Sequence, residues 1–351
     1  MISIPFRRLL AGSSVAFTLA APFALGHIDS EKPGAYPEFG TVERVDAGLD
    51  SRLAPAAKME LLATGFEWAE GPVWDPKGQQ LLFTDVPENI AYRWTAAQGV
   101  AIHLHPSGYT GLMSEAPYEE GANGLMFDAG GHLVLCQHGD RRVARLNADG
   151  HTFSTLAGRF EGKRFNSPND LVRDRHGNIY FTDPPYGLTD QKVGKELAIQ
   201  GVYRIAPSGQ VALIEGTISR PNGIGLSPDE RTLYIGSSDG AEPYVLAIPL
   251  DANGHRAGEK RVFFDGTPLI KQGRRGGFDG LKVDVDGYVW ATGPGGLVIL
   301  NPKGKLLGSL LTGRGTANVA FGGPDGNDVF LTADDSLVRI KTRTTWVGAG
   351  W

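Results

Sequence analysis

Residues 168–183 read PNDLVRDRHGNIYFTD, in which a polar pair enters an apolar run, a turn at Asp174 to Gly177 reverses the chain, and a second apolar run ends on Thr182-Asp183. Two short strands joined by a tight turn are the simplest reading of that order. The same order recurs as AEGPVWDPKGQQLLFTD (69–85), ANGLMFDAGGHLVLCQH (122–138), PNGIGLSPDERTLYIGSS (221–238), FDGLKVDVDGYVWATG (278–293) and ANVAFGGPDGNDVFLTAD (317–334). The leading polar residues are Glu70, Asn123, Asn169, Asn222, Asp279 and Asn318, at intervals of 53, 46, 53, 57 and 39 residues. Such spacing approximates the length of a four-stranded propeller blade. The reading is therefore all-β: a six-bladed β-propeller whose blades have about four antiparallel strands, each bringing one polar residue to the axis.

The 351 residues would accommodate one large all-β domain or two ordinary ones, and the repeat selects one. Gly 49 and Pro 22, with no sustained helical apolar period, leave little room for helix. The net charge of -5 and the lack of a basic run argue against a nucleic-acid partner. Arg7 and Arg8 precede an apolar segment rich in small residues, and a polar stretch follows it. Residues 1–26 thus read as a signal peptide, with Ala24-Leu25-Gly26 as a cleavage site and an uncleaved anchor as the alternative. Export to the periplasm or beyond is expected, and no later apolar stretch reaches the roughly 18 to 20 residues of a membrane span. Residues 27–60 read as an arm that packs on the propeller or supplies a closing strand, and residues 61–345 as the propeller itself. The lone Cys136 lies in an apolar run and is expected to be a buried free thiol.

Each hairpin should bring its ends together, placing Glu70 near Asp85, Asn123 near His138 and Asn169 near Asp183. Two insertions, HPSGYTGLMSEAPYEEGAN (105–123) and DPPYGLTDQKVGKELAIQG (183–201), have the composition of ordered loops, which either wall a pocket or run over the surface without touching a ligand. Asp, Glu and Asn fill 50 of 351 positions, so six matches in six repeats are not a chance pattern. The pairs Asn123-Gly124, Asn222-Gly223 and Asp279-Gly280 admit a second explanation, as turns. A converging set of Glu, Asp and Asn oxygens suits calcium, magnesium or manganese, and catalytic zinc with oxygen ligands is a minority alternative. A cation with few protein ligands polarises a carbonyl without a covalent nucleophile, and a carboxylate beside it activates water. The chain has no GxSxG elbow, HExxH helix, P-loop or GxGxxG after a strand.

Through FEWAEGPVW, PSGYTG, CQHGDRRVARL, KRFNSPNDLV, IYFTDPPYGL, RPNGIGLSPDE, FDGLKVD and AFGGPDG, the chain resembles the SMP-30/gluconolactonase/LRE family from about Phe39 to Ile340, and most of all its exported bacterial gluconolactonase branch. The resemblance implies metal-dependent hydrolysis of a small-molecule sugar lactone, with one divalent ion, most often calcium, at the mouth of the central tunnel. It places Glu70, Asn169, Asn222 and Asp279 as metal ligands. Asp279 also falls on the general base and Asp170 on a second functional carboxylate. Where sugar-lactonase relatives carry Arg two residues before the blade-three Asn, this chain has Ser167, with Arg164 three positions earlier. Asn123, His138 and Arg142 are the expected substrate contacts. Asp183, Asp85 and Asn318 are expected to brace the site. A broader esterase or phosphotriesterase, and a calcium-stabilised binding propeller without chemistry, are the alternative functions.

Overall fold

The structure is a computed structural model and describes residues 28–31, 34, 36–111 and 119–346. The segment read as a signal peptide lies outside the described residues, as do residues 112–118 of the first insertion. The described chain forms a six-bladed propeller of antiparallel sheets. From the axis outward, blade one has strands Ala69–Asp75, Gln80–Asp85, Ile90–Thr95 and Gly99–Leu104. The inner strands of the next five blades are Ala122–Phe127, Leu171–Arg173, Pro221–Leu226, Leu281–Val283 and Thr316–Gly322. The one α-helix among the described residues spans Thr267–Lys271, and no helix there is long and apolar enough to cross a membrane.

The N-terminal part closes the ring. Strand Met59–Thr64 pairs with Ser336–Lys341 as the fourth strand of blade six, so both ends of the propeller chain share one sheet. Upstream, Thr41–Arg44 adds a fifth strand to blade five, and Asp29–Ser30 a fifth to blade six. Arg52, beyond the short 3₁₀ turn Ala47–Ser51, reaches Asp284 and Asp286 of blade five and stacks over Tyr288.

Blades are buried on both faces, which is why their middle strands are almost continuously apolar. Six apolar clusters are found among the described residues, one at each blade–blade junction. Phe165, Phe181 and Tyr203, for example, fill the junction of blades two and three. Cys136 is buried in the same cluster as a free thiol whose pKa is raised by that burial. The aspartates that open the hairpin turns have a local cause: Asp174 Oδ1 accepts from the backbone N–H of His176 and Asn178, and Asp75 Oδ1 from Lys77 and Gly78.

Candidate metal and catalytic site on the propeller axis

The conserved order within the repeats has a physical origin where blades meet near the axis. The Thr closing the second strand of one blade donates to a carbonyl at the start of the next inner strand. Thr84 Oγ1 reaches Asn123 O at 3.0 Å, Thr182 Oγ1 reaches Asn222 O at 2.7 Å, and Thr292 Oγ1 reaches Ala317 O at 2.9 Å. The glycine after Glu70, Asn123, Asn222 and Asp279 leaves room for the neighbouring backbone. A Cβ on Gly223 would lie 2.0 Å from Asp279 O, and one on Gly71, whose φ is +49°, would lie 1.9 Å from Asn123 O. Asn123-Gly124 and Asn222-Gly223 lie inside strands, so close blade approach, rather than turn formation, accounts for these glycines. Register shifts occur at the entry of the inner strands of blades one, two, four and six, between Glu70 and Val73 in blade one for instance. Bulges of this kind re-aim side chains.

The consequence is a convergent set of oxygens. Glu70, Asn123, Asn169, Asp170 and Asn222 are buried, while Asp279 keeps some solvent access. Asn123 Oδ1, Asn169 Oδ1, Asn222 Oδ1 and Asp279 Oδ1 are all buried without a hydrogen-bond partner. Unpaired buried polar atoms are costly and call for a ligand. The orientation of Asn222 follows from its own network: its Nδ2 donates to Ser238 Oγ at 2.9 Å, which donates in turn to Phe278 O, leaving Oδ1 toward the site. Asn318 differs, because its Oδ1 accepts from Val319 N and its Nδ2 donates to Glu70 Oε2 at 3.1 Å. It braces Glu70 and presents no unpaired oxygen. An acceptor-only set of two carboxylates and several amide oxygens fits a hard divalent cation. Among the described residues no group of three or more His, Cys, Asp or Glu gathers, so the amides are integral to the set.

Carboxylates packed without compensating charge resist ionisation. Burial pushes Glu70 up to about 7, with Asp170 and Glu119 adding to the rise and hydrogen bonds from Gly71 and Asn318 opposing it. Asp279 is pushed well above the usual carboxylate range by burial first, then by Glu70, Asp170 and Glu119. The charges of Asp170 and Glu119 therefore act on both Glu70 and Asp279.

His138 is fully buried, with Nδ1 3.0 Å from Glu119 Oε2 and Nε2 unpaired. Arg142, the third expected substrate contact, hydrogen-bonds within its own blade. Its guanidinium bonds Gln137 Oε1, Asp140 Oδ2 and Thr155 Oγ1 and packs over Phe153 in the outer strands of blade two. Arg142 begins the third strand of blade two. Asp183 accepts from Asn166 N and Ser167 N, and Asp85 from Glu67 N and Trp68 N, so both hold the segment that enters an inner strand. Ser167 Oγ donates to Pro184 O and accepts from Gly187 N. Sequence reasoning missed Glu119, Tyr186, Arg220, Ser238 and Lys282. Tyr186 lies against Arg220, whose guanidinium carbon is 5.8 Å from its ring centroid, and has its phenol pKa raised, by burial above all and also by Asp279. Glu119 and Tyr186 both belong to the insertions, whose position was the available signal.

Fold and site define a six-bladed propeller built around an axial oxygen-donor centre. Residues 68–335 match the SMP-30/Gluconolactonase/LRE-like region, and the chain belongs to that family. A gluconolactonase of Zymomonas mobilis is 37% identical over 310 residues, covering 87% of each chain. A pentonolactonase of Haloferax volcanii is 26% identical, covering 77% of this chain and 82% of its own. The solved structure of a gluconolactonase from Xanthomonas campestris superposes with a TM-score of 0.76 at 29% identity, covering 89% of this chain and 99% of that one.

Proposed function

We propose that this chain is a lactonase that opens a sugar lactone of the gluconolactone type to its aldonic acid. The observation that carries the reading is the convergence of unpaired buried oxygens from blades two to five beside Glu70. The named relatives, a gluconolactonase and a pentonolactonase, support the substrate class. Glu70, Asn169, Asn222 and Asp279 would hold one divalent ion, calcium in the first instance, with magnesium, manganese and zinc as the other candidates. Such an ion, when bound, supplies the positive charge that polarises the lactone carbonyl.

Asp279 combines an unpaired Oδ1 with residual solvent access, the combination needed to take a proton from water. The water oxygen adds to the carbonyl carbon, the ring C–O bond breaks, and the proton passes to the departing ring oxygen. Asp170, beside it, orients the water. Asn123 Oδ1 and His138 Nε2 are left for the sugar hydroxyls, with Glu119 holding the imidazole through Nδ1. The N-terminal Arg7-Arg8 and the apolar segment after it support placing this reaction in the periplasm or outside the cell.

A panel of aldonolactones, aryl esters and phosphotriesters, run with wild type and Asp279→Asn, tests the assignment. Lactone turnover should dominate and fall at least about a hundredfold in the variant, with the circular dichroism spectrum unchanged. An Asp279→Asn protein that retains lactone turnover removes Asp279 as the base.

A further inference from the structure

The axis is layered, and one layer contains an exception. Three residues after each leading polar residue stand Val73, Met126, Val172, Gly225, Lys282 and Phe321, and all six line a cavity of about 240 Å³ beyond the oxygen set. Five are apolar or small and one is a lysine. Placing an ammonium there is unfavourable unless it has a partner. Lys282 lies between the buried Leu281 and Val283 of the inner strand of blade five, and its side chain is only 14% exposed. Its Nζ donates to Leu281 O at 3.1 Å and lies 3.5 Å from Asp170 Oδ2. Asp170 belongs to blade three, so the contact skips blade four and crosses the axis. The same Oδ2 has no hydrogen-bond donor, whereas Oδ1 accepts from Leu171 N at 2.8 Å.

We propose that Lys282 is a positioning residue that clamps Asp170 from below, fixing its carboxylate beside the reacting centre and keeping it from swinging in as an additional ligand. With Leu171 N on one oxygen and Lys282 on the other, the Asp170 carboxylate has one orientation. Without the lysine, only the Leu171 bond restrains it, and rotation turns Oδ2 toward the oxygen set. The proposal rests on the lactonase reading above and adds a residue to it that acts through Asp170 alone.

A double-mutant cycle tests it, with Lys282→Met, Lys282→Arg, Asp170→Asn and the Lys282→Met/Asp170→Asn pair, read by gluconolactone kinetics and by calorimetric titration of calcium alone. Methionine matches the apolar layer, and thermal melting of each variant verifies folding. Lys282→Met should lower kcat by roughly ten- to a hundredfold with KM changed less than about twofold, and should tighten calcium binding. Both effects should vanish when Asp170→Asn is already present, and Lys282→Arg should restore most of kcat. Equal effects of Lys282→Met in both backgrounds would overturn the proposal, since a purely structural lysine acts regardless of Asp170. Wild type that turns over no lactone and binds no calcium contradicts the lactonase reading and withdraws the proposal with it. Normal wild-type behaviour with an additive cycle contradicts only the role of Lys282.

Discussion

Asn318 of the last blade donates its Nδ2 to Glu70 Oε2 of the first at 3.1 Å, joining across the seam of the propeller two residues 248 positions apart. Both ends of the Asn318 amide are committed, since Oδ1 accepts from Val319 N. Glu70 is thereby held by Asn318 and by Gly71 N. Removing a bond that orients a ligand usually costs about ten- to a hundredfold in metal affinity. Asn318→Ala should weaken calcium binding by about tenfold on that basis, as read by calorimetry, with the melting temperature of the metal-free protein little changed.

The raised carboxyls make cation binding depend on pH. Glu70 is held at about 7, and Asp279 is raised as well, in the metal-free fold. A carboxyl whose folded pKa exceeds its unfolded value favours the fold at low pH, and that contribution is lost as pH rises from the unfolded value through the folded one. The metal-free protein should therefore lose stability between about pH 4.5 and 7. Calcium, which requires the ionised forms, should raise the melting temperature more at pH 8 than at pH 6. Protons released on binding, measured by calorimetry in buffers of different ionisation enthalpy, should increase as pH falls toward 7.

Thr182→Val keeps shape and deletes the donor to Asn222 O. Leaving a buried carbonyl unpaired costs about 1–3 kcal/mol, which urea unfolding should reveal as a lower midpoint at constant slope. Since Asn222 is also an expected ligand, calcium affinity should fall with it. A change in stability with unchanged affinity would mean that this contact does not position Asn222.

Gly223→Ala probes the close approach of blades four and five. The added methyl would stand 2.0 Å from Asp279 O, a backbone atom that cannot yield without opening the junction. A loss of about 3 kcal/mol or more is expected, measured by denaturant unfolding, together with loss of turnover. A fully stable and active variant would show that the blades separate more readily than this packing implies.

Much of this arrangement was legible because a propeller repeats. One polar residue per blade, followed in four blades by Gly and in four by a later Thr, is a local pattern, and radial symmetry turns it into a ring. The cross-axis and cross-seam contacts were not legible, because nothing local connects Lys282 to Asp170 or Asn318 to Glu70. Lys282 reads in one dimension as an ordinary polar position between Leu281 and Val283, and only ring closure shows that this position faces the axis. Arg142 follows the HGD turn, and its contacts with Gln137, Asp140 and Thr155 are equally invisible in sequence. Its neighbour Arg141 is buried and braces Phe165 O, Asn166 O and Gly194 O between blades two and three. The glycines after Asn123 and Asn222 carried two meanings in sequence, and the close neighbouring carbonyls select one.

In the mechanism proposed above, lactone opening depends on a cation held by the axial oxygens. Hydrolysis of glucono-1,5-lactone followed by pH-stat, with protein stripped by chelator and refilled separately with calcium, magnesium, manganese or zinc, tests it most directly. Catalysis well above the spontaneous rate is expected, lost on stripping and restored by calcium, and absent from Asp279→Asn under the same loading. Undiminished hydrolysis by fully stripped, folded protein, or no hydrolysis with any of the four ions bound, would contradict it.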